Sequence, residues 1–238
     1  MPKAAFRPAG DRAIVASFGD EISEELNVAV MALDRSLAEN PIEGVIETVP
    51  TYRSLLVYYD PAKLRNRSLA RELDRRSRLV PTGAARVGRT IEIPVRYGGA
   101  YGEDLGDVAL HCGLSEAEVI ERHSGREYRI YMLGFLPGFA YLGNMDLSLA
   151  TPRMGTPRQA IPAGSVGIGG EQTGIYPLVS PGGWRIIGRT PLRLYDPRRE
   201  EPIPYRPGDF IRFRSVGDDE FEAIKARVDS ESNEGASP

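Results

Sequence analysis

The sequence predicts an α+β N-terminal domain followed by an all-β barrel or sandwich, and three observations carry that expectation. Of 26 Gly, 18 lie between Tyr97 and Gly188, whereas the first 96 residues hold five. Before Tyr97, strand-like apolar runs alternate with helical spacing; beyond it, short apolar stretches are each bounded by Gly or Pro. The 26 Gly and 19 Pro show no period of three and no low-complexity tract, so they punctuate folded structure.

In the first domain, Arg12–Phe18 has the β-branched and apolar content of a strand, ended by Gly19-Asp20. Ile22, Leu26, Val30, Leu33 and Leu37 then fall at helical spacing, with Asp20 or Ser23 as N-cap, Glu24 and Glu25 at the positive end of the dipole, and Asn40-Pro41 as stop. Gly44–Val49 and Arg53–Tyr59 read as strands around Pro50. A polar, Arg-rich helix carrying Leu69 and Leu73 follows, and Thr90–Val95 reads as another strand after the turn signals Pro81–Gly83. The order β-α-β-β-α-β is a split βαβ of the ferredoxin-like kind, over residues 1–88 with its last strand extending to 96.

The second domain is placed at 97–216. Tyr101–Asp107 reads as loop and Leu114–Ser124 as a short helix opened by a capping box, Ser115 with Glu118. Tyr128–Leu133, Ser165–Ile168, Gly174–Val179, Arg185–Gly188 and Phe210–Arg214 are the short strands. Residues 217–238 read as a C-terminal helix, Asp218–Val228, and a tail, DSESNEGASP, too polar to order itself.

A net charge of −3 and a pI near 5.6 argue against nucleic-acid binding. Only Lys3, Lys63 and Lys225 are Lys, and none follows a Gly, so a Walker A loop is absent. One Cys and two His fall short of a tetrahedral zinc site unless carboxylates help, and no metal is expected. No apolar leader and no run of 18 apolar residues is present, which predicts a cytoplasmic protein without a membrane span.

Three phrases carry the chemistry: LGFLPGFAYLG (Leu133–Gly143), TPRMGTPRQAIPAGSVGIGGEQTGIYP (Thr151–Pro177) and SPGGWRIIGRTP (Ser180–Pro191). They combine Gly main chain, which can approach a ligand closely, with arginines suited to a carboxylate or phosphate. Candidate anion-binding groups are Arg153, Arg158, Ser165, Gly167, Gly169 and Gly170; Gln172 and Thr173 follow at once. Gly and Pro equally serve barrel corners and bulges. Ser165 lacks the first Gly of a nucleophile elbow, GIGGEQ lacks the third Gly of a dinucleotide fingerprint, and His111-Cys112 reads as structural. His123 is open to two readings, a C-terminal helix cap or a general acid or base.

With these phrases in fixed order, and with RAIVASFGD at Arg12, TYRSLLVYYDP at Thr51 and YRPGDFIRF at Tyr205, the chain resembles the family that contains the B-type subunit of 5-oxoprolinase, allophanate hydrolase subunit 1 and the sporulation kinase inhibitor. It departs from the family's usual Pro at Ala140 and usual Ala at Gly169. The resemblance implies a ferredoxin-like N-terminal domain followed by a cyclophilin-like β-barrel. It implies a subunit acting with homologous C-type and A-type partners to open 5-oxoproline, a small anionic lactam, with ATP and magnesium used by the complex. His123, Gln172 and Thr173 are the catalytic candidates in segments matching the family's motifs. Two alternatives stand beside this: inhibition of a sensor histidine kinase, and carboxyl transfer onto urea or a related amide with biotin as carrier.

Overall fold

The computed structural model describes residues 4–79 and 88–234, and the chain divides into two compact units, Met1–Val87 and Gly88–Pro238. In the first unit the elements run β1 (Ala5–Pro8), β2 (Ala13–Ser17), α1 (Glu24–Glu39), β3 (Val45–Pro50), β4 (Ser54–Tyr59) and α2 (Asn66–Ser77). The sheet order is β1-β2-β4-β3, antiparallel throughout. Ser23 is the N-cap of α1, accepting from Leu26 N at 3.3 Å, so the helix starts one turn later than a cap at Asp20 would set it and leaves Ile22 exposed. Helix α1 lies on β3 and β4, and α2 on β1 and β2. Val30, Leu33, Leu55, Val57, Leu69 and Leu73 are fully buried between these layers. Arg76 of α2 donates to the carbonyls of Ser36 and Asn40, both at 2.7 Å, satisfying main-chain oxygens at the end of α1.

The strand expected to close this sheet does not belong to it. Thr90–Tyr97, β5, lies in the second unit, and the edge beside β2 is filled by β1 from the N-terminal side. The expected turn at Pro81–Gly83 lies outside the described residues.

After β5 the second unit continues with α3 (Leu105–Cys112), α4 (Glu116–Ser124), β6 (Glu127–Leu133), β7 (Ala140–Leu142), β8 (Arg158–Ile161), β9 (Ser165–Gly169), β10 (Gln172–Ile175), β11 (Ser180–Gly182), β12 (Arg185–Arg189), β13 (Phe210–Ser215) and α5 (Asp218–Glu234). Seven strands form one sheet in the order β10-β9-β12-β5-β13-β6-β7. Its end strands β7 and β10 lie against each other, so the sheet is nearly closed and barrel-like. Within it β5 and β13 are parallel and the other pairs antiparallel. Strands β8 and β11 make a separate two-stranded ribbon. Pro94 is accommodated in β5 because pairing with β12 involves only Arg96 and Tyr97, leaving the missing N–H without consequence. The interior is packed by Val95, Ile130, Val166, Ile168, Ile187 and Phe213.

Two segments differ from expectation. The segment read as loop, Tyr101–Asp107, ends inside α3, whose N-cap Asp104 makes no side-chain capping bond. The polar tail is helical as far as Glu234, because α5 runs through Asp229–Glu234 instead of stopping at Val228. Among the described residues no helix is long and apolar enough to cross a membrane.

Candidate functional site

Strand β9 alternates between two faces. Val166 and Ile168 point into the barrel, while Gly167 and Gly169 lie on the outer face, where Gly174 of β10 pairs with Gly167. This stripe without side chains seats the indole of Trp184. A Cβ at Gly174 would lie 3.1 Å from Trp184 Cζ3 and one at Gly167 3.3 Å from Trp184 Cβ, while one at Gly169 would overlap the indole Cδ1 and Nε1. With Gly at 169 the ring sits lower on the sheet than an alanine would allow. Phe139 meets the indole edge-on at 5.6 Å and Tyr176 at 6.1 Å, and Ile161 and Ile186 complete the cluster. Phe135 packs edge-on against Phe139 at 5.5 Å, yet it is 61% exposed and holds φ +66°, the left-handed region that a bulky side chain rarely adopts. The three Gly/Pro phrases thus converge on one buried aromatic cluster.

Tyr176 is buried in this cluster, with Gly182 leaving room for its hydroxyl. Burial pushes its pKa up, opposed by hydrogen bonding from the Trp184 main chain and by the charges of Arg153 and Arg158. The four arginines of these phrases have different fates. Arg158 grips the buried Asp104 carboxylate through two hydrogen bonds of 2.8 and 2.9 Å, with Glu103 at 3.2 Å. Arg185 pairs with Asp107 at 3.1 Å. Arg189 lies over the Tyr101 ring at 5.7 Å. Arg153 is exposed, its guanidinium 5.8 Å from the Trp184 ring centre. Its loop is fixed by the Thr151–Gly170 bridge and by Met154 N donating to Gly183 O at 2.7 Å.

His123 sits elsewhere, in the barrel interior, fully buried. Nδ1 is 2.8 Å from the Tyr97 hydroxyl and Nε2 is 2.8 Å from Thr173 Oγ1, which donates to Gly167 O at 3.0 Å. Burial holds its pKa down at about 3, with Arg126 contributing in the same sense, so the ring is neutral at ordinary pH. It meets neither sequence reading in simple form: the ring nitrogens bond side chains, not helix carbonyls, and they face no solvent. His123 and Thr173 are therefore brought together, but apart from Arg153 and Arg158. Gln172 lies on the outer strand β10, and Gly170 (φ +66°) turns β9 into β10. Gly167 and Gly169 belong to an interior strand flanked by β10 and β12, which draws their main chain into the ladder and away from the ligand-facing arrangement the Gly run suggested. Ser165 is buried with its hydroxyl unpartnered. Cys112 Sγ lies 3.6 Å from Thr151 Oγ1.

Trp184, Phe139, Tyr176 and Asp104 were not singled out from sequence. The one Trp in the chain, following Gly182-Gly183, was the available signal for the first; a lone Asp in a loop gave none for the last.

The chain belongs to the carboxyltransferase domain family, subdomain C and D, whose model matches residues 4–205. It is similar to the B-type subunit of 5-oxoprolinase from Bacillus subtilis (strain 168), 42% identical over 226 residues that cover 91% of this chain and 94% of that protein. It is also similar to the B-type subunit of 5-oxoprolinase from Escherichia coli O157:H7, 47% identical over 208 residues, covering 86% and 92%. Among solved structures, TTHA0988 superposes with a TM-score of 0.77 at 42% identity; the match covers 87% of this chain but spans only 40% of TTHA0988. The Kluyveromyces lactis urea amidolyase, 20% identical with a TM-score of 0.76 over 96% of this chain and 16% of that one, shares the fold.

Proposed function

We propose that this chain is the B-type subunit of an ATP-dependent 5-oxoprolinase, opening 5-oxo-L-proline to L-glutamate together with C-type and A-type subunits in the cytoplasm. The observation that carries this reading is the match to proteins named as B-type subunits of 5-oxoprolinase over nearly their whole length. In the same reading the first unit is a ferredoxin-like domain whose outer strand is supplied by β1, and the second a cyclophilin-like barrel.

The Gly run from Gly167 and the arginine nearest it in the phrase do not fit a phosphate loop. A phosphate loop needs free main-chain N–H groups, and Gly167 is committed to strand pairing on both sides while Gly169 pairs with Gln172 of β10. Arg158, the cation beside them in the sequence phrase, is already neutralised by Asp104. Among the described residues no three His, Cys, Asp or Glu side chains converge as metal ligands. In this reading a partner binds the nucleotide and this chain supplies substrate contacts. The weaker likeness to urea amidolyase, 22% identical in the Saccharomyces cerevisiae protein, leaves carboxyl transfer onto urea as a distant second.

Reconstitution tests the proposal. The chain mixed with its C-type and A-type partners is expected to release glutamate from 5-oxoproline only when ATP is present, and the chain alone is expected to release none. Full activity from the isolated chain, or a three-subunit mixture inactive on 5-oxoproline and active on urea, would overturn it.

A further inference from the structure

We propose that His123 is the latch of strand β10, the end strand that closes the barrel: the ring holds Thr173 from inside, and its release lets β10 part from β9 and β7 and uncovers Trp184. This role is independent of the 5-oxoprolinase reading.

The hydrogen bonds around the ring have one consistent assignment. Thr173 carries a single hydroxyl proton and donates it to Gly167 O, so toward His123 it can only accept, and Nε2 carries the ring proton. Nδ1 is then bare and accepts from the Tyr97 hydroxyl. The opposite tautomer fails at both ends. The buried Tyr97 hydroxyl, bonded only to Nδ1 among the described residues, would keep a proton with no acceptor, and Thr173 would have to abandon Gly167. All three donors therefore point one way, from Tyr97 of β5 through His123 of α4 and Thr173 of β10 to the Gly167 carbonyl of β9, and each bond polarises the next. The ring is oriented by Phe213 at 4.5 Å and Tyr128 at 5.4 Å, while the Tyr128 hydroxyl donates to the His123 carbonyl at 2.8 Å. With both nitrogens engaged, the imidazole has neither a lone pair nor a proton left for a reactant.

Strand β10 is where such a pin is needed. It has four residues and a ladder to β9 on one side; on the other it lies against β7, to which the strand order does not join it. The β9–β10 hairpin holds Gly167, Gly169, Gly170 and Gly174, and glycine in a strand packs no side chain and costs more entropy to order. A segment with few ladder bonds opens at a lower free energy than its surroundings. Inside, the bond from His123 to Thr173 ties β10 to α4 and, through Tyr97, to β5, from which β9 and β12 separate it in the sheet. Outside, the aromatic cluster straddles the same seam: Phe139 comes from just before β7 and Trp184 from just before β12, their rings 5.6 Å apart. A Cβ at Gly174 would lie 3.1 Å from Trp184 Cζ3 and 3.2 Å from Ala140 O, so the indole and β7 both rest on β10. Departure of β10 removes that support and exposes the indole.

Amide hydrogen exchange of the full-length chain, read by mass spectrometry, tests the latch, with acrylamide quenching of Trp184, the single tryptophan, in parallel. Thr173→Val replaces the hydroxyl by a methyl group and removes the acceptor of Nε2. Peptides covering Gln172–Tyr176, whose Tyr176 N–H donates to Ser165 O at 2.9 Å, are expected to exchange about 10- to 100-fold faster, and Trp184 to be quenched more readily. Peptides covering β5 and β13 should keep the wild-type rate, which separates opening of β10 from a general loss of stability. Thr173→Ser returns the hydroxyl and should restore slow exchange. In the wild-type chain, nitrogen NMR of the labelled imidazole should show Nε2 protonated and Nδ1 bare, a readout that needs no variant to fold. Unchanged exchange of β10 in Thr173→Val, acceleration shared equally by β5 and β13, fast exchange persisting in Thr173→Ser, or a ring protonated on Nδ1 would each overturn the latch.

Discussion

Gly102→Ala should unfold the second unit far more readily than its small size suggests. The Gly98–Asp104 segment lies directly on β12, with Gly98 N donating to Ile187 O at 3.0 Å and Asp104 N donating to Ile186 O at 2.9 Å. A Cβ at 102 would be driven into the Ile187 carbonyl, a main-chain group that cannot swing aside. The segment must back away, and the two main-chain hydrogen bonds lengthen or break, at about 1 kcal/mol each. Asp104 moves with it, loosening the 2.6 Å bond its carboxylate accepts from Ile186 N and its grip on Arg158. Adding about 1–3 kcal/mol for the forced overpacking gives a loss of about 4 kcal/mol. For a chain of this length that is a fall in Tm of about 8–16 °C. Thermal and urea unfolding followed by Trp184 emission measures it. Gly155→Ala is the control, because nothing lies within 4 Å of its added carbon, and it should stay within about 0.5 kcal/mol of wild type. If Gly102→Ala were as stable as the control, the close approach of this segment to β12 would be refuted.

Three further outcomes are expected. Arg158→Met strands the buried Asp104 carboxylate and should cost about 3 kcal/mol in urea unfolding; a loss below about 0.5 kcal/mol would show that the pair is not needed. His123 has a folded pKa of about 3 against 6.5 when exposed, so its contribution is complete above pH 6.5 and is lost as the pH falls through that window, at about 1.4 kcal/mol per unit. The stability gap between wild type and His123→Gln should therefore narrow by about 2 kcal/mol from pH 7 to pH 5, and a constant gap would contradict the buried neutral ring. Arg76→Met removes both bonds to the end of α1 and should lower the stability of the first unit by about 2 kcal/mol, read by circular dichroism; an unchanged midpoint would place those carbonyls on water instead.

What the sequence made legible was local. Ser115 and Glu118 announce α4 because a capping box is completed within four residues, and both of its hydrogen bonds are present. The apolar spacing from Leu26 to Leu37 marks α1 for the same reason. Strand β1 was not legible, since a four-residue edge strand ending in Pro carries almost no pattern. Helix α3 escaped because it is short, contains Gly106, and begins at an Asp whose carboxylate is spent on Ile186 and Arg158 instead of the cap. The membership of β5 depends on a partner more than a hundred residues away, which no window reveals. At the site, the three phrases were visible as phrases. That Gly167, Gly169 and Gly174 make one flat bed for Trp184 follows only from the β9–β10 register, and that His123 turns inward follows only from the packing of α4 on the barrel.

The pairing of β5 with β13 also sets a timetable for synthesis. The first unit has its sheet, both helices and their core once Ser77 has been made, so it can fold while the remainder is still being translated. Strand β5 ends at Tyr97 and its parallel neighbour begins at Phe210. At about 5–20 residues per second, β5 waits roughly 5–25 s beside the ribosome with one hydrogen-bonding edge and its apolar face unfilled. During that interval it is a template for any other extended chain. A truncated product ending before Phe210 should accumulate as aggregate, whereas one that reaches Ser215 should not.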